Sequence, residues 1–257
     1  MRKRRIGALL LAGAALALRL NDGAFAAEER GHGAHWEYDG DGGPAKWGDL
    51  AQEFATCKTG KTQSPVDIGG GAATDLKPIE FNYSPGALEV LNNGHTVQVP
   101  RLAAGAITLD GKTYDLQQFH FHAHSEHTLN GKPTEMELHL VHKNMAGELA
   151  VVGVLMKEGK PNPALAAVAQ HIPKVAGEVQ KAADVKLNAA DLLPASRGYY
   201  HYMGSLTTPP CSEGVHWLVL KAPIEVSKEQ IAAFTAVMHQ NARPVQPLNS
   251  RTIQASK

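Results

Sequence analysis

The chain of 257 residues has no basic patch, no polar linker, no internal repeat and no apolar run long enough to cross a bilayer comfortably. These absences argue in turn against a nucleic-acid-binding surface, a string of domains, a stacked array and a spanning helix. Cysteine is almost missing too: Cys57 and Cys211 are the only two, enough for a single bridge. Helix signals are few.

The amino terminus has a plan of its own. Arg2, Lys3, Arg4 and Arg5 precede an apolar run from Ile6 to Leu18, and Ala24-Phe25-Ala26 supplies a small-x-small close. This is the layout of a secretory leader, which assigns residues 1–26 to a signal peptide and 27–257 to one domain exported to the periplasm or beyond. Removing the leader takes away five basic side chains and one acidic one, so the neutral chain becomes mildly acidic. In an exported protein the default for two cysteines is a disulfide, and one between Cys57 and Cys211 closes a long loop.

Alternation of apolar and polar residues predicts strands at 78–83, 87–91, 96–99, 106–109, 113–123, 134–143, 148–157 and 216–221, with turns at Asn92-Asn93-Gly94, Asp110-Gly111, Asn130-Gly131 and Ala146-Gly147. Asn162-Pro163 starts a short helix running to about Gln170. Ser227 and Gln230 form a capping box for another, with Ile231, Phe234 and Met238 on one side. The expected fold is mainly β: a single domain with a large, twisted, mostly antiparallel sheet and short helices at its margins. Trp36 and Trp47 are expected to fasten the amino-terminal segment to that body.

Six of the thirteen histidines fall between residues 118 and 142. In Gln118-Phe119-His120-Phe121-His122-Ala123-His124 a period of two puts Gln118, His120, His122 and His124 on one face and Phe119 and Phe121 on the other. In the following strand Glu135, Glu137, His139 and Val141 share a face. Two imidazoles from one strand and a third from its neighbour can converge on a tetrahedral ion and leave one position open, the ligand count of a catalytic zinc site. His124 and His127 compete for the third place. Several buried histidines without a shared partner would be costly to desolvate.

These runs, together with Ser125-Glu126-His127 and Glu137-Leu138-His139-Leu140-Val141-His142, closely resemble the zinc-site strands of the α-class carbonic anhydrases. So do Gln63-Ser64-Pro65-Val66-Asp67, Asn92-Asn93-Gly94-His95, Gly204-Ser205-Leu206-Thr207-Thr208-Pro209-Pro210, Trp217-Leu218-Val219-Leu220 and Asn241-Ala242-Arg243-Pro244-Val245-Gln246-Pro247-Leu248. The likeness extends from about His35 to the end, in the family's order. It implies a sheet of about ten strands with Zn2+ at the base of a cone-shaped cleft, reversible hydration of carbon dioxide to bicarbonate and a proton by zinc-hydroxide attack, and cis bonds at Ser64-Pro65 and Pro209-Pro210. It also adds weight to the Cys57–Cys211 bridge, which would brace the Thr207-Thr208 loop from behind.

By the same resemblance His120, His122 and His139 are the zinc ligands, oriented by Gln118, the Asn241 carbonyl and Glu137. Thr207 and Glu126 aim the nucleophile; Val141, Leu149, Val151, Leu206, Thr208, Val215 and Trp217 line the carbon dioxide pocket. His95 relays the proton outward, with Tyr38, Asn93 and Gln98 along its path. The family usually has glycine or proline where His124 stands. The implied partners are carbon dioxide and bicarbonate, with no nucleic acid and no stable membrane insertion, and a homodimer is compatible with the likeness. Two other readings share some features. A cupin oxygenase would use His120, His122 and Glu126 as metal ligands, although the second cupin motif is missing, and a zinc-free binding module would keep the fold without the chemistry.

Overall fold

The computed structural model describes residues 34–100, 102 and 105–257; the leader assigned to residues 1–26 lies outside them. Fifteen strands and four α-helices occur among the described residues, the first two helices being the single turns α1 (Trp47–Leu50) and α2 (Thr56–Thr59). The strands are β1 (Asp67–Ile68), β2 (Ala72–Thr74), β3 (Glu80–Tyr83), β4 (Gly86–Asn92), β5 (Val97–Val99), β6 (Gly105–Leu109), β7 (Lys112–His122) and β8 (Thr128–Leu129), followed by β9 (Met136–Lys143), β10 (Leu149–Glu158), β11 (Val179–Leu187), β12 (Tyr199–Ser205), β13 (Glu213–Leu220), β14 (Ile224–Val226) and β15 (Gln254–Ser256). Thirteen of them make one sheet whose continuous path runs β11-β4-β5-β7-β9-β10-β13-β12-β15-β2, with β3, β6 and β14 branching from it. Ten strands lie on that path, the number that the resemblance implies, and the three branches bring the sheet to thirteen. Within this sheet pairing is antiparallel except at β10–β13, β10–β14 and β15–β2, and β1 pairs with β8 in parallel as a separate ribbon.

Strict alternation gives the central strands two different faces. Phe119, Phe121, Leu138, Leu140, Val152, Val154, Leu218 and Leu220 point into a large core, where helix α4 (Lys228–Met238) lays Phe234 against Phe121 at 4.6 Å between ring centres. Ser227 and Gln230 cap α4 in both directions. Its buried side chains are Gln230, Phe234 and Met238, while Ile231 is only partly covered. Helix α3 (Pro163–Ala169) begins where expected, with the Asn162 side chain accepting the Leu165 N–H. The opposite face of the same strands carries His120, His122, Glu137, His139, Val141, Val151 and Trp217. Each buried aliphatic side chain there contributes roughly 1.5–3 kcal/mol.

Register sets what meets what on that second face. His120 is paired with His139 and His122 with Glu137 across β7–β9; Gln98 of β5 lies opposite His120, and Gly153 of β10 opposite His139. A Cβ on Gly153 would come within 3.0 Å of Glu137 Oε1, so glycine at this position makes room for the carboxylate.

The sequence-predicted strands all appear, with boundaries moved by one to three residues. The predicted strand at 113–123 stops at His122, which removes His124 from the face it was expected to share. Seven of the fifteen strands were not expected: β1, β2, β8, β11, β12, β14 and β15. β11 is a mostly exposed edge strand with a shifted register between Ala182 and Lys186; β12 is held along its length by β13, and the terminal β15 is held between β12 and β2. Cys57 and Cys211 are bonded across 154 positions of sequence and pack with Trp47 and Phe54. Loop entropy alone makes such a crosslink worth roughly 5 kcal/mol. Ser64-Pro65 and Pro209-Pro210 are cis, as is Ala123-His124.

His142, at the far end of β9, shows how the large core handles a titratable ring. Its Nδ1–H donates to the Ala150 carbonyl at 3.2 Å, and its Nε2 accepts from the Tyr83 hydroxyl at 2.8 Å. Burial lowers its pKa to about 4, despite the carbonyls of Ala150 and Leu140 that pull it up. Because the folded value lies below the unfolded one, the contribution to stability is complete above about pH 6.5 and is lost as pH falls toward 4, about 3 kcal/mol in all. Denaturant unfolding of wild type and His142→Gln at pH 7 and pH 4 should show the wild type losing more stability by that amount. Equal losses in the two proteins would contradict the assignment.

Candidate metal centre

Residues on β7 and β9 bring His120, His122 and His139 together so that one ring nitrogen from each lies within 4.8 Å of the others. Their partners identify which nitrogen is left over. His120 Nδ1 meets Gln118 Oε1 at 2.8 Å, and His122 Nδ1 meets the Asn241 carbonyl at 2.7 Å. His139 Nε2 stands 3.0 Å from Glu137 Oε1, in contact with it although not well directed for a hydrogen bond. His120 Nε2, His122 Nε2 and His139 Nδ1 therefore face the space between the rings. His122 Nε2 is buried without any hydrogen-bond partner. An orphaned acceptor at full burial calls for an ion or a water, and three imidazole nitrogens suit zinc.

The rings are held neutral, which ligation requires. Burial, and then the two neighbouring rings, hold His120 well below the usual histidine range. Burial lowers His122 to about 4 against the pull of the Asn241 carbonyl, and it lowers His139 against the pull of Glu137. His120 retains some contact with solvent, while His122 and His139 are 1% exposed.

Glu137 does more than the sequence indicated. Its Oε1 takes the His127 Nδ1–H at 2.7 Å while its Oε2 accepts the backbone N–H of Glu126 and His127 at 3.0 and 2.9 Å. Burial alone would raise its pKa, but His127 and His139 hold it well below the carboxylate range. His127 continues to the Tyr202 hydroxyl at 2.6 Å, and Tyr202 donates to Ser64 Oγ at 2.9 Å. The group His127, Glu137 and His139 also has mutually close donor atoms. Its 2.7 Å contact is a hydrogen bond, so the group reads as a buried polar chain behind His139, not as a second ion site. His124 is exposed beyond the end of β7, with Nδ1 near the Ser125 carbonyl and Nε2 near Gln240.

Glu126 sits beside the three rings, its Oε2 3.6 Å from His122 Nε2. It is not among the mutually close donors that include His120 and His122, which removes the geometric basis of the cupin reading. Its Oε1 accepts the Arg243 backbone N–H at 2.9 Å. Burial pushes its pKa up to about 7, with His139, that N–H and the Thr207 hydroxyl pulling it down. Thr207 is 6% exposed, and its loop is pinned by the Cys211 N–H on the Thr208 carbonyl at 2.8 Å and by the Leu206 N–H on Ser212. Burial and then Glu126 hold the Tyr38 phenol well above its usual value, so it stays protonated.

Val141, Val151, Val215 and Trp217 share one buried apolar cluster, with Leu149 and Leu206 packed at its edge. The Trp217 ring lies 4.7 Å from that of His139, so this wall adjoins the histidines; Thr208 is half-buried on the loop beside it.

His95 is half-buried in the turn before β5. Asn93 Oδ1 accepts the N–H of both His95 and Thr96, at 3.0 and 2.8 Å, so its oxygen holds the turn. Trp36 stacks on the His95 ring at 3.9 Å and 9°, and Tyr38 approaches it edge-on at 6.4 Å. Trp36 was expected only to pack against the body, since nothing near it in sequence pointed to His95. Arg243 was also missed. Its guanidinium is 2% exposed and ties Gln63, Ser64 and Cys57 together, while its N–H holds Glu126.

Residues 42–257 match the family model described as eukaryotic-type carbonic anhydrase. The chain is 47% identical over 222 residues to the carbonic anhydrase of Pectobacterium carotovorum, covering 85% of this chain and 90% of that one. With the carbonic anhydrase of Neisseria gonorrhoeae it shares 44% identity over 232 residues, 90% and 91% of the two chains. The structure of the α-carbonic anhydrase from Thermovibrio ammonificans with the inhibitor sulfanilamide superposes with a TM-score of 0.84 at 47% identity, over 86% of this chain and 99% of that one.

If Glu137 tunes the centre through its charge, Glu137→Gln should weaken zinc binding about 10- to 100-fold in a chelator competition. Unchanged affinity would show that the carboxylate serves only His127.

Proposed function

This chain belongs to the eukaryotic-type (α-class) carbonic anhydrase family, and from that premise we propose that it carries out the reversible hydration of carbon dioxide with zinc held by His120, His122 and His139. The observation that carries the reading is the convergence of three neutral imidazole nitrogens from two adjacent strands, each with its other nitrogen already engaged. Zinc bound by uncharged donors would keep its full double charge and bring the pKa of a water to about 7, the value characteristic of carbonic anhydrases as a family.

The protein supplies aim, a dry wall and a way out for the proton. Thr207, its own hydrogen given to Glu126, is left an acceptor and so fixes the direction of the attacking oxygen. This needs Glu126 ionised, which a neighbouring divalent cation favours. The Thr207 backbone N–H is free of the sheet ladder and can receive an oxygen of the substrate. Val141, Val151, Val215 and Trp217, with Leu149, Leu206 and Thr208, hold carbon dioxide without competing hydrogen bonds.

Each turnover releases a proton, and an imidazole with a pKa near neutrality suits its export. His95 is the candidate, with Tyr38, Asn93 and Gln98 beside its path. Residues 1–26 serve as the export leader and 27–257 as the catalytic domain, acting in the periplasm or outside the cell. The Cys57–Cys211 disulfide supports an oxidising compartment, and among the described residues no helix is long and apolar enough to cross a membrane.

Stopped-flow carbon dioxide hydration by the mature protein tests the reading. Expected results are near-complete loss in His122→Ala, a loss of about a hundredfold or more in Thr207→Ala, and in His95→Ala a smaller loss restored by added imidazole. A His122→Ala protein of wild-type activity would overturn the metal assignment, and a His95→Ala defect indifferent to imidazole would overturn the relay.

A further inference from the structure

Asn241 is fully buried and employs its side chain and main chain on different tasks. Its carbonyl accepts from His122 Nδ1 at 2.7 Å. Its side-chain Oδ1 accepts the Ala123 N–H at 2.8 Å, and its Nδ2 donates to the carbonyls of Phe121 and of His95, both at 3.0 Å. These contacts join three stretches far apart in sequence: the end of β7, the turn carrying His95, and the segment leaving α4.

Pairing of β4 with β5 closes that turn, with the Asn93 N–H on the Thr96 carbonyl, but does not tie it to β7. The β5–β7 ladder begins only at Gln98 and Val99, opposite His120 and Phe119. Ahead of it, the turn is linked to β7 through Thr96 Oγ1, which contacts the Phe121 carbonyl at 2.5 Å and N–H at 3.2 Å, and through the Asn241 amide. Of these two links, the Asn241 contact is the one that reaches the His95 main chain, and the same side chain is bonded to the strand that presents His120 and His122. On the other side Trp36 stacks on the ring at 3.9 Å.

We propose that Asn241 is a positioning residue for proton export: its planar amide fixes where the His95 turn sits relative to the histidine strand, separately from the support its carbonyl gives His122. The inference rests on the reading of His95 as the relay. A relay through ordered water depends steeply on the placement of its terminal group, so a bracket between the two ends acts on proton export more than on the attack on carbon dioxide. A planar amide offers two donors and an acceptor in fixed directions, which matches the two carbonyls and one N–H found around it.

Asn241→Asp has nearly the same shape and keeps the Ala123 contact, but a carboxyl can supply at most one of the two donations. The zinc-loaded variant is compared with wild type and His95→Ala by stopped flow at low and high imidazole, and by the nuclear Overhauser effect between the Trp36 indole and the His95 ring. The expected result is a loss of about tenfold in kcat that exceeds the loss in kcat/KM, restoration of the excess by imidazole, and a weakened Trp36–His95 effect. Equal losses in kcat and kcat/KM, indifferent to imidazole and with the ring contact intact, would overturn the inference while His95→Ala still behaves as a relay mutant. If His95→Ala itself shows no loss that imidazole restores, the relay reading falls and this inference falls with it. Should Asn241→Asp fail to fold, Asn241→Ser, which shortens the side chain away from both carbonyls, gives the same comparison.

Discussion

Three uncharged imidazoles facing one another inside a sheet are stable only if something satisfies the nitrogens that face away. Here Gln118, the Asn241 carbonyl and Glu137 do so, one for each ring. These contacts choose the tautomers, hold the rings at their angles and leave three acceptors aimed inward. Much of the surrounding architecture follows from this requirement. Gly153 is open because Glu137 needs the space, β9 is buried along nearly its whole length, and the chain after α4 passes close enough to β7 for a main-chain carbonyl to reach His122.

The same requirement makes Glu137 a junction. A fully buried carboxylate costs several kcal/mol unless each oxygen is occupied, and this one answers two backbone N–H groups, His127 and His139. The chain of contacts continues through Tyr202 to Ser64 and Ser205, tying the ion site to the Ser64-Pro65 turn and to the end of β12, just ahead of the Thr207 loop. The disulfide pins the far side of that loop and, through the Cys57 carbonyl, the Arg243 side chain whose main chain holds Glu126. The three histidines, Glu126 and the Thr207 loop are thus held by one continuous polar frame, with the apolar wall of Val141, Val151, Val215 and Trp217 alongside it.

What could be read from the sequence was what depends on local period and on short motifs. Alternation in residues 118–122 and 135–141 separates the histidine face from the phenylalanine and leucine face, and the capping residues of α3 and α4 mark both helix starts. What could not be read depends on contacts between distant segments. His124 fits the alternation but lies past the point where the strand ends. Trp36 carries no local sign that it will stack on His95, and the Asn241 side chain gives none that it will reach the His95 carbonyl. β11 is an edge strand with polar residues on both faces, so its period is masked.

The most direct test of the account is the location of the metal in crystals of the zinc-loaded protein, from anomalous scattering at the zinc edge. The account predicts one zinc per chain, bonded to His120 Nε2, His122 Nε2 and His139 Nδ1, with its remaining position open to solvent. An ion bonded through Glu126, or one centred on His127 and Glu137, would contradict it.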